Sequence, residues 1–271
     1  SEILVNKQKF STYNGSFLSQ EMLECDITSA LATGLNTIEF KLNFVYADPG
    51  CYNNAARRLG TELESAFITG DFAVYGEPVE VGTLPKQISH DIWSTELPAR
   101  RVTRLRGPLY ITDSVMQTSG ELTLAGLPFY SGTVKLSKEF NLPHLDFTKI
   151  SFKYLDAITA RVKLNGQEVK HLFSSRPLQA DIKGMLQKGN NLIEIELRNS
   201  LRNLLGPHHH TMGELCSVGP YSFISRDFQE GKFVPEKNWS KAENRIKQES
   251  WTDDYFFVKF GLPNGIELLK F

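Results

Sequence analysis

Three consecutive histidines, His208, His209 and His210, with Glu214 four residues beyond them, are the densest group of proton-exchanging and metal-capable side chains in the sequence. In an extended segment His208 and His210 face the same way, and Glu214, one loop away, offers a third ligand of the kind zinc accepts. Consecutive histidines lack the i, i+4 helical spacing or the paired cysteines that specify a metal centre. The pattern fits a hydrogen-bonded structural loop first, a loop contacting a ligand or another domain second, and a metal site last. No metal and no cofactor is expected. Gly206-Pro207 ahead of the cluster and Gly213 behind it predict a shaped loop.

Carboxylates in loop-like or strand-edge settings are Glu214, Glu249, Asp253 and Asp254. Two such groups facing one another can act as acid and base, but linear order does not set their separation, so no catalytic residue is assigned. No Gly-rich phosphate loop follows a strand, and no Ser-His-Asp signature is present.

The elements that must position these groups announce themselves by repetition. The segment 26–42 reappears 155 positions later as 181–197, with 8 of 17 residues identical and no gap. In both copies an Asp (Asp26, Asp181) opens a short turn, a Leu anchors it, Gly34-x-Asn36 or Gly189-x-Asn191 reverses the chain, and an alternating strand follows. Upstream, Leu4-Val5-Asn6-Lys7-Gln8 parallels Lys163-Leu164-Asn165-Gly166-Gln167. One supersecondary unit is used twice, and two related β domains are expected.

Strand periodicity dominates the remainder. Ile38, Phe40, Leu42 and Phe44 alternate with polar residues, as do Ile150, Phe152 and Tyr154, and Ile193, Ile195 and Leu197. Ile158 to Leu164 runs into Asn165-Gly166, a strong hairpin signal. Tyr255 to Phe260 reads as a buried final strand. Helices are short: a capping box at Ser240 and Glu243 starts one through about residue 248, and 55–59 adds a turn. The expected class is all-β, two β-sandwiches with a few short helices. The expected division is a first sandwich over 1–85, a Pro-rich polar linker over 86–119 that could contribute a strand, and a second sandwich over 120–271. Strand-like sequence begins about 45 residues before Asn165, whereas five precede Asn6. The first domain therefore reads as lacking its opening strands, and the chain as a piece of a longer polypeptide.

A chain of 271 residues holds two domains of ordinary size, and 41% hydrophobic with 23% charged residues is the composition of a packed protein. Eighteen Phe and nine Tyr favour strands. A net charge of −1 argues against general affinity for nucleic acid or anionic membrane. Arg100, Arg101, Arg104 and Arg106 cluster, and salt-bridge partners or a solvated face explain them better than a nucleic-acid patch. Cys25, Cys51 and Cys216 show no CxxC spacing; buried free thiols lean towards a reducing compartment, so a cytoplasmic setting is favoured over a secreted one. No apolar run has transmembrane length, and residues 1–7 do not have the shape of a signal peptide.

The run Gly126-Leu127-Pro128-Phe129-Tyr130-Ser131-Gly132-Thr133, the Asn165-Gly166 turn, the Asp-Ile-x-x-x-Leu-x-x-Gly-x-Asn motif, and Leu201-Arg202-Asn203-Leu204-Leu205-Gly206-Pro207-His208-His209 stand in an order that resembles the galactose-binding-like (sugar-binding) jelly-roll domains of bacterial family-2-type and rhamnosidase-type glycoside hydrolases. The resemblance covers most of 120–205, and also 3–44 and 61–75. It implies jelly-roll domains that serve as accessory modules packed beside a catalytic barrel, sometimes shaping its cleft or binding sugar. No barrel fits beside two sandwiches in 271 residues, so hydrolysis would belong to the catalytic domain of the parent polypeptide, the expected partner. The rivals are a stand-alone carbohydrate-binding or adhesion module, and a fragment carrying its own glycosidase carboxylates.

Carbohydrate recognition needs an aromatic face for the C–H side of a pyranose and planar polar groups for its hydroxyls. The candidates are His208, His209, His210, Glu214, Tyr221, Trp239 and Arg202. Trp93 and Trp251 lie outside the strongest strand patterns too, but Trp251, beside the Tyr255 strand, is expected in the core. Arg198, Arg202 and Asn203 could clamp hydroxyls, or pair with Glu194 and Glu196 across a sheet. The glycosylation tripeptides at Asn14 and Asn238 are read as accidental.

Overall fold

A computed structural model describes residues 2–11, 13–20, 22–44, 66–82, 84, 87–88, 96–97, 101–113, 120–211, 213–214 and 251–270. The chain divides into two compact units, Ser1–Thr69 and Gly70–Phe271. The expected short helices at 240–248 and 55–59, together with Cys51, Trp93, Cys216, Tyr221, Trp239 and Glu249, lie outside the described residues.

In the first unit, β1 (Glu2–Val5) pairs antiparallel with β2 (Gln8–Phe10), and β3 (Gly15–Ser16) with β4 (Leu23–Glu24). A single 3-10 turn, Thr28–Ala30, leads to β5 (Ile38–Lys41), which lies on the other side of β1. The second unit contains β6 (Ala73–Val79), β7 (Gln87–Ile88), β8 (Glu96–Leu97), β9 (Val102–Thr112), β10 (Thr133–Leu142), β11 (Phe147–Ser151), β12 (Thr159–Leu164), β13 (Gln167–Glu168), β14 (Gln179–Asp181) and β15 (Gly189–Arg198). The four-residue helix α1 (Arg202–Leu205), β16 (Tyr255–Val258) and β17 (Glu267–Lys270) follow. Its sheets run β10-β15-β12-β13, β14-β11-β17 and β16-β9-β6, with β7-β8 a separate pair. The described residues are thus all-β but for one helical turn of each kind, as expected.

Alternation explains the burial. Ile193, Ile195 and Leu197 of β15, Ala160, Val162 and Leu164 of β12 and Val134 of β10 point into one cluster with Ile150 of β11 and Ala180 of β14, which joins the inner faces of two sheets. The outer face carries opposed charges: Lys135 and Arg161 flank Glu196, and Lys163 faces Glu194. Arg198 instead donates from Nε to Thr133 Oγ1 at 3.2 Å.

The duplicated segment repeats in three dimensions bond for bond. Asn6 and Asn165 both take left-handed backbone, φ 49° and 50°, which Asn tolerates better than other side-chain-bearing residues. Asn6 Nδ2 donates to Asn36 Oδ1 (2.7 Å) and to the Ala30 carbonyl (2.8 Å); Asn165 Nδ2 donates to Asn191 Oδ1 (2.9 Å) and to the Met185 carbonyl (3.0 Å). Each first Asn accepts through Oδ1 from the strand, the Thr37 N–H in one copy and the Leu192 N–H in the other, at 2.9 Å. Asn36 and Asn191 bond backbone at i−4 and i−2 in the same way. Asp26 and Asp181 each accept the N–H two residues on. Gly34 and Gly189 close the turns at φ +97° and +93°, where a Cβ would meet open space but the backbone conformation itself disfavours any other residue.

The units part at 69/70, where the expected division put a first sandwich over 1–85, and the linker that could contribute a strand does so: Val102–Thr112 is an 11-residue strand that pairs with both β6 and β16. Ala73–Val79 correspondingly belongs to the second unit. Tyr255–Val258 is the buried aromatic strand expected, but it is not final, because β17 follows and pairs with β11.

Candidate functional site

The loop after β15 is held by α1 and β16. Asn203 is clamped to β16 through both side-chain groups: Nδ2 donates to the Val258 carbonyl (2.8 Å) and Oδ1 accepts from the Val258 N–H (2.9 Å). It is a structural residue, occupied on both sides. From there residues 208–210 run beside 251–256, with the Phe256 N–H donating to His208 O, the Thr252 N–H to His209 O, and His210 bridging Trp251.

This path sends the three histidines to three environments. His208 lies among Phe129, Tyr255 and Phe257, at ring distances of 5.2, 6.3 and 5.1 Å, and its Nε2–H donates to the Asn203 carbonyl at 2.8 Å. His210 is buried. His209 stacks on Trp251, with centroids 4.6 Å apart and planes 20° apart, leans on Tyr255 at 4.3 Å, and donates from Nδ1 to the Thr252 carbonyl at 3.1 Å. His208 and His210 therefore do not converge with Glu214 on an ion, and no cluster of three or more metal-capable side chains occurs among the described residues.

Burial pushes the His208 imidazole down to about 4, with the neighbouring Arg202 and His209 also opposing its charge and the Asn203 carbonyl resisting them. The sign follows from the depressed value. The unfolded imidazole protonates near pH 6.5 while the folded one resists until about 4, so this contribution is complete above 6.5 and is lost as pH falls towards 4. The full shift corresponds to about 3 kcal/mol. Urea melts should weaken over that window, and His208→Gln, which keeps the donor to Asn203, should flatten the loss. Parallel pH profiles for the two proteins would refute the assignment.

Glu214 and Arg202 form a buried ion pair, Oε2 to Nε 2.6 Å, with side chains 4% and 16% exposed. Removing either would strand a charge, so the pair anchors the loop rather than presenting two free groups. Asp254 is likewise held by Arg104 (2.6 Å) and Arg106 (3.3 Å), and Asp253 accepts from Trp251 Nε1 at 3.4 Å. Arg101, Arg104 and Arg106 of the arginine cluster are thus spent on ion pairs, and Arg100 lies outside the described residues. Arg101 bridges Asp156 at 3.2 Å and lies over Tyr154, and Arg106 also approaches Glu77 at 3.8 Å.

Trp251 contradicts its expected place in the core: it is 50% exposed, presenting an indole face backed by His209. A cleft of about 250 Å³ is lined by Arg101, Asp156, Ser200, Arg202 and Lys259. Asp156, and Glu121 held beside Lys259 and Phe260, are two carboxyls that sequence reasoning did not single out. Glu121 Oε1 accepts from Thr123 Oγ1 (2.6 Å) and the Phe260 N–H (3.2 Å), and Lys259 Nζ stands 3.9 Å from Glu121 Oε2. Burial raises the pKa of both Glu121 and Asp156. A lone Glu after a glycine carries no signal for this; the burial comes from strands distant in sequence.

No protein-family model and no curated protein matches the sequence. Solved structures do match. A rhamnosidase from Novosphingobium sp. PP1Y is 15% identical, with a TM-score of 0.29, over 70% of this chain and 16% of that one. A β-glucuronidase from Ruminococcus gnavus is 18% identical, TM-score 0.24, over 49% and 23%. The β-D-glucuronidase of Dictyoglomus thermophilum is 16% identical, TM-score 0.24, over 64% and 28%. These neighbours are glycoside hydrolases, and the chain spans less than a third of the length of each.

Proposed function

We propose that the chain is an accessory, non-catalytic region of a bacterial glycoside hydrolase, made of two galactose-binding-like jelly-roll domains that support a catalytic domain elsewhere in the parent polypeptide. We further propose that the second domain contacts carbohydrate. The observation that carries the carbohydrate contact is the half-exposed Trp251 face, stiffened from behind by His209 and oriented by the Asp253 carboxylate. A rigid indole takes the C–H face of a pyranose at little entropic cost, and the adjoining carboxylate and ring nitrogens suit its hydroxyls. The sequence resemblance supports the accessory reading. The engagement of Glu214 and Asp254 by arginines argues against an acid–base pair here.

A glycan array probed with the whole chain, followed by titration of the strongest hit, tests the contact. Trp251→Ala should weaken binding at least about tenfold, or about 1.4 kcal/mol. Absence of binding by the unmodified chain across the array would overturn it. A full reading frame lacking any catalytic domain would overturn the accessory role in favour of a stand-alone module.

A further inference from the structure

Asn is followed by Gly three times in the sequence, at 14, 165 and 264. In such a pair the Gly backbone nitrogen can reach the Asn side-chain carbonyl carbon, because no Cβ stands in the way, so the fold around each pair decides its chemical fate. Asn165 is held by three side-chain bonds: Nδ2 donates to the Met185 carbonyl (3.0 Å) and to Asn191 Oδ1 (2.9 Å), and Oδ1 accepts from the Leu192 N–H (2.9 Å). Its amide cannot rotate without breaking all three. Gly15 is tied into the β3–β4 pair opposite Glu24. Asn264 is different. It stands exposed in the turn 262–265, and its side chain makes no hydrogen bond among the described residues. One bond closes this turn, from the Gly265 N–H to the Leu262 carbonyl at 3.0 Å.

We propose that Asn264 is a site of spontaneous isoaspartate formation, and that its conversion loosens β17. Opening the one turn bond frees the Gly265 nitrogen, which gives up its proton to solvent base and attacks Asn264 Cγ. A C–N bond to the main chain forms, the C–N bond to the side-chain nitrogen breaks, and that nitrogen leaves as ammonia after taking a proton from water. Water, the sole co-reactant, then opens the five-membered imide. Opening at Cγ gives aspartate. Opening at the main-chain carbonyl gives isoaspartate, whose backbone runs through the former side chain and is one carbon longer. That carbon falls between two fixed points: the Leu262 N–H, which donates to Gly120 O at 2.7 Å, and Glu267, which pairs with Ser151 at the start of β17. The longer connection shifts β17 against β11, and the ladder between them weakens.

The test incubates the whole chain in mildly alkaline buffer and follows each Asn-Gly peptide by mass spectrometry, with enzymatic methylation to count isoaspartate. Asn264 should convert about thirtyfold faster than Asn165, or about 2 kcal/mol, because two more hydrogen bonds hold the latter. In denaturant the two rates should come together. Equal rates in the folded chain overturn the site. A gap that persists in denaturant overturns it too, by showing that flanking residues and not the fold set the rates. Hydrogen exchange of 267–270 should quicken in the isoaspartate form and stay slow in Asn264→Asp, which brings the same charge on an ordinary backbone. Exchange that isoaspartate leaves unchanged, or that Asn264→Asp quickens equally, overturns the loosening of β17.

Discussion

Gly261→Ala should unfold the second unit's apolar core at far milder denaturant than the parent, with a loss of about 3–5 kcal/mol. Gly261 sits between two chain segments, bridging Glu121 on one side and Asp156 on the other. Its N–H donates to the Asp156 carbonyl at 2.8 Å and its own carbonyl accepts from the Asp156 N–H at 3.1 Å, while the neighbouring Leu262 N–H donates to Gly120 O at 2.7 Å. At φ +136° a side chain is strained before packing is considered, and a Cβ there would overlap the Gly120 carbonyl oxygen. Backbone cannot yield as a flexible side chain can. The cost must be met by separating Gly120 from residues 261–262, which also disturbs the Phe260 N–H bond to Glu121. Chemical melts monitored by tryptophan fluorescence would measure it; a midpoint within error of the parent would show that the segments separate freely.

Asn191→Ala and Asn36→Ala delete the same hydrogen bonds from two copies of one turn, and should differ in cost. Asn191 is buried and is joined to Asn165, the Gln187 N–H and carbonyl, and the Gly189 carbonyl. Truncation leaves those groups without water, for about 3 kcal/mol. Asn36 makes the matching bonds where solvent can replace them, so about 1 kcal/mol is expected. Hydrogen exchange of each unit's amides, with denaturant melts, would give both values; equal losses would mean that burial does not set the worth of the clasp.

Much of the architecture is legible where the signal is local. The Asn165-Gly166 turn, the alternation in β12 and β15, and the repeated Asp…Gly-x-Asn turn depend on neighbours within a few residues, and they stand where the sequence puts them. The pairing of β6 with β9 is different. Pro108 falls in the expected linker and Pro78 reads as a strand breaker, yet Pro78 is accommodated on an edge strand with a register shift between Tyr75 and Glu77. The site was legible only in part. The His208–His210 loop is shaped as expected, but its partners Trp251 and Tyr255 lie more than forty residues away in sequence. Trp251 borders the aromatic run Tyr255–Phe257, and composition alone cannot separate a plug from a platform. The Arg104–Asp254 bond spans 150 positions and has no sequence signature at all.

The position of residues 255–270 has a consequence for how the protein comes into being on the ribosome. β16 completes the sheet of β9 and β6, and β17 completes that of β11 and β14, so two layers stay unfinished until the same short stretch has been synthesised. During translation the aromatic faces that will meet Phe256, Phe257 and Phe260 stay bare for the whole time the ribosome adds the intervening residues. Such late, long-range closure is expected to slow folding and to leave apolar surface open to aggregation over that interval.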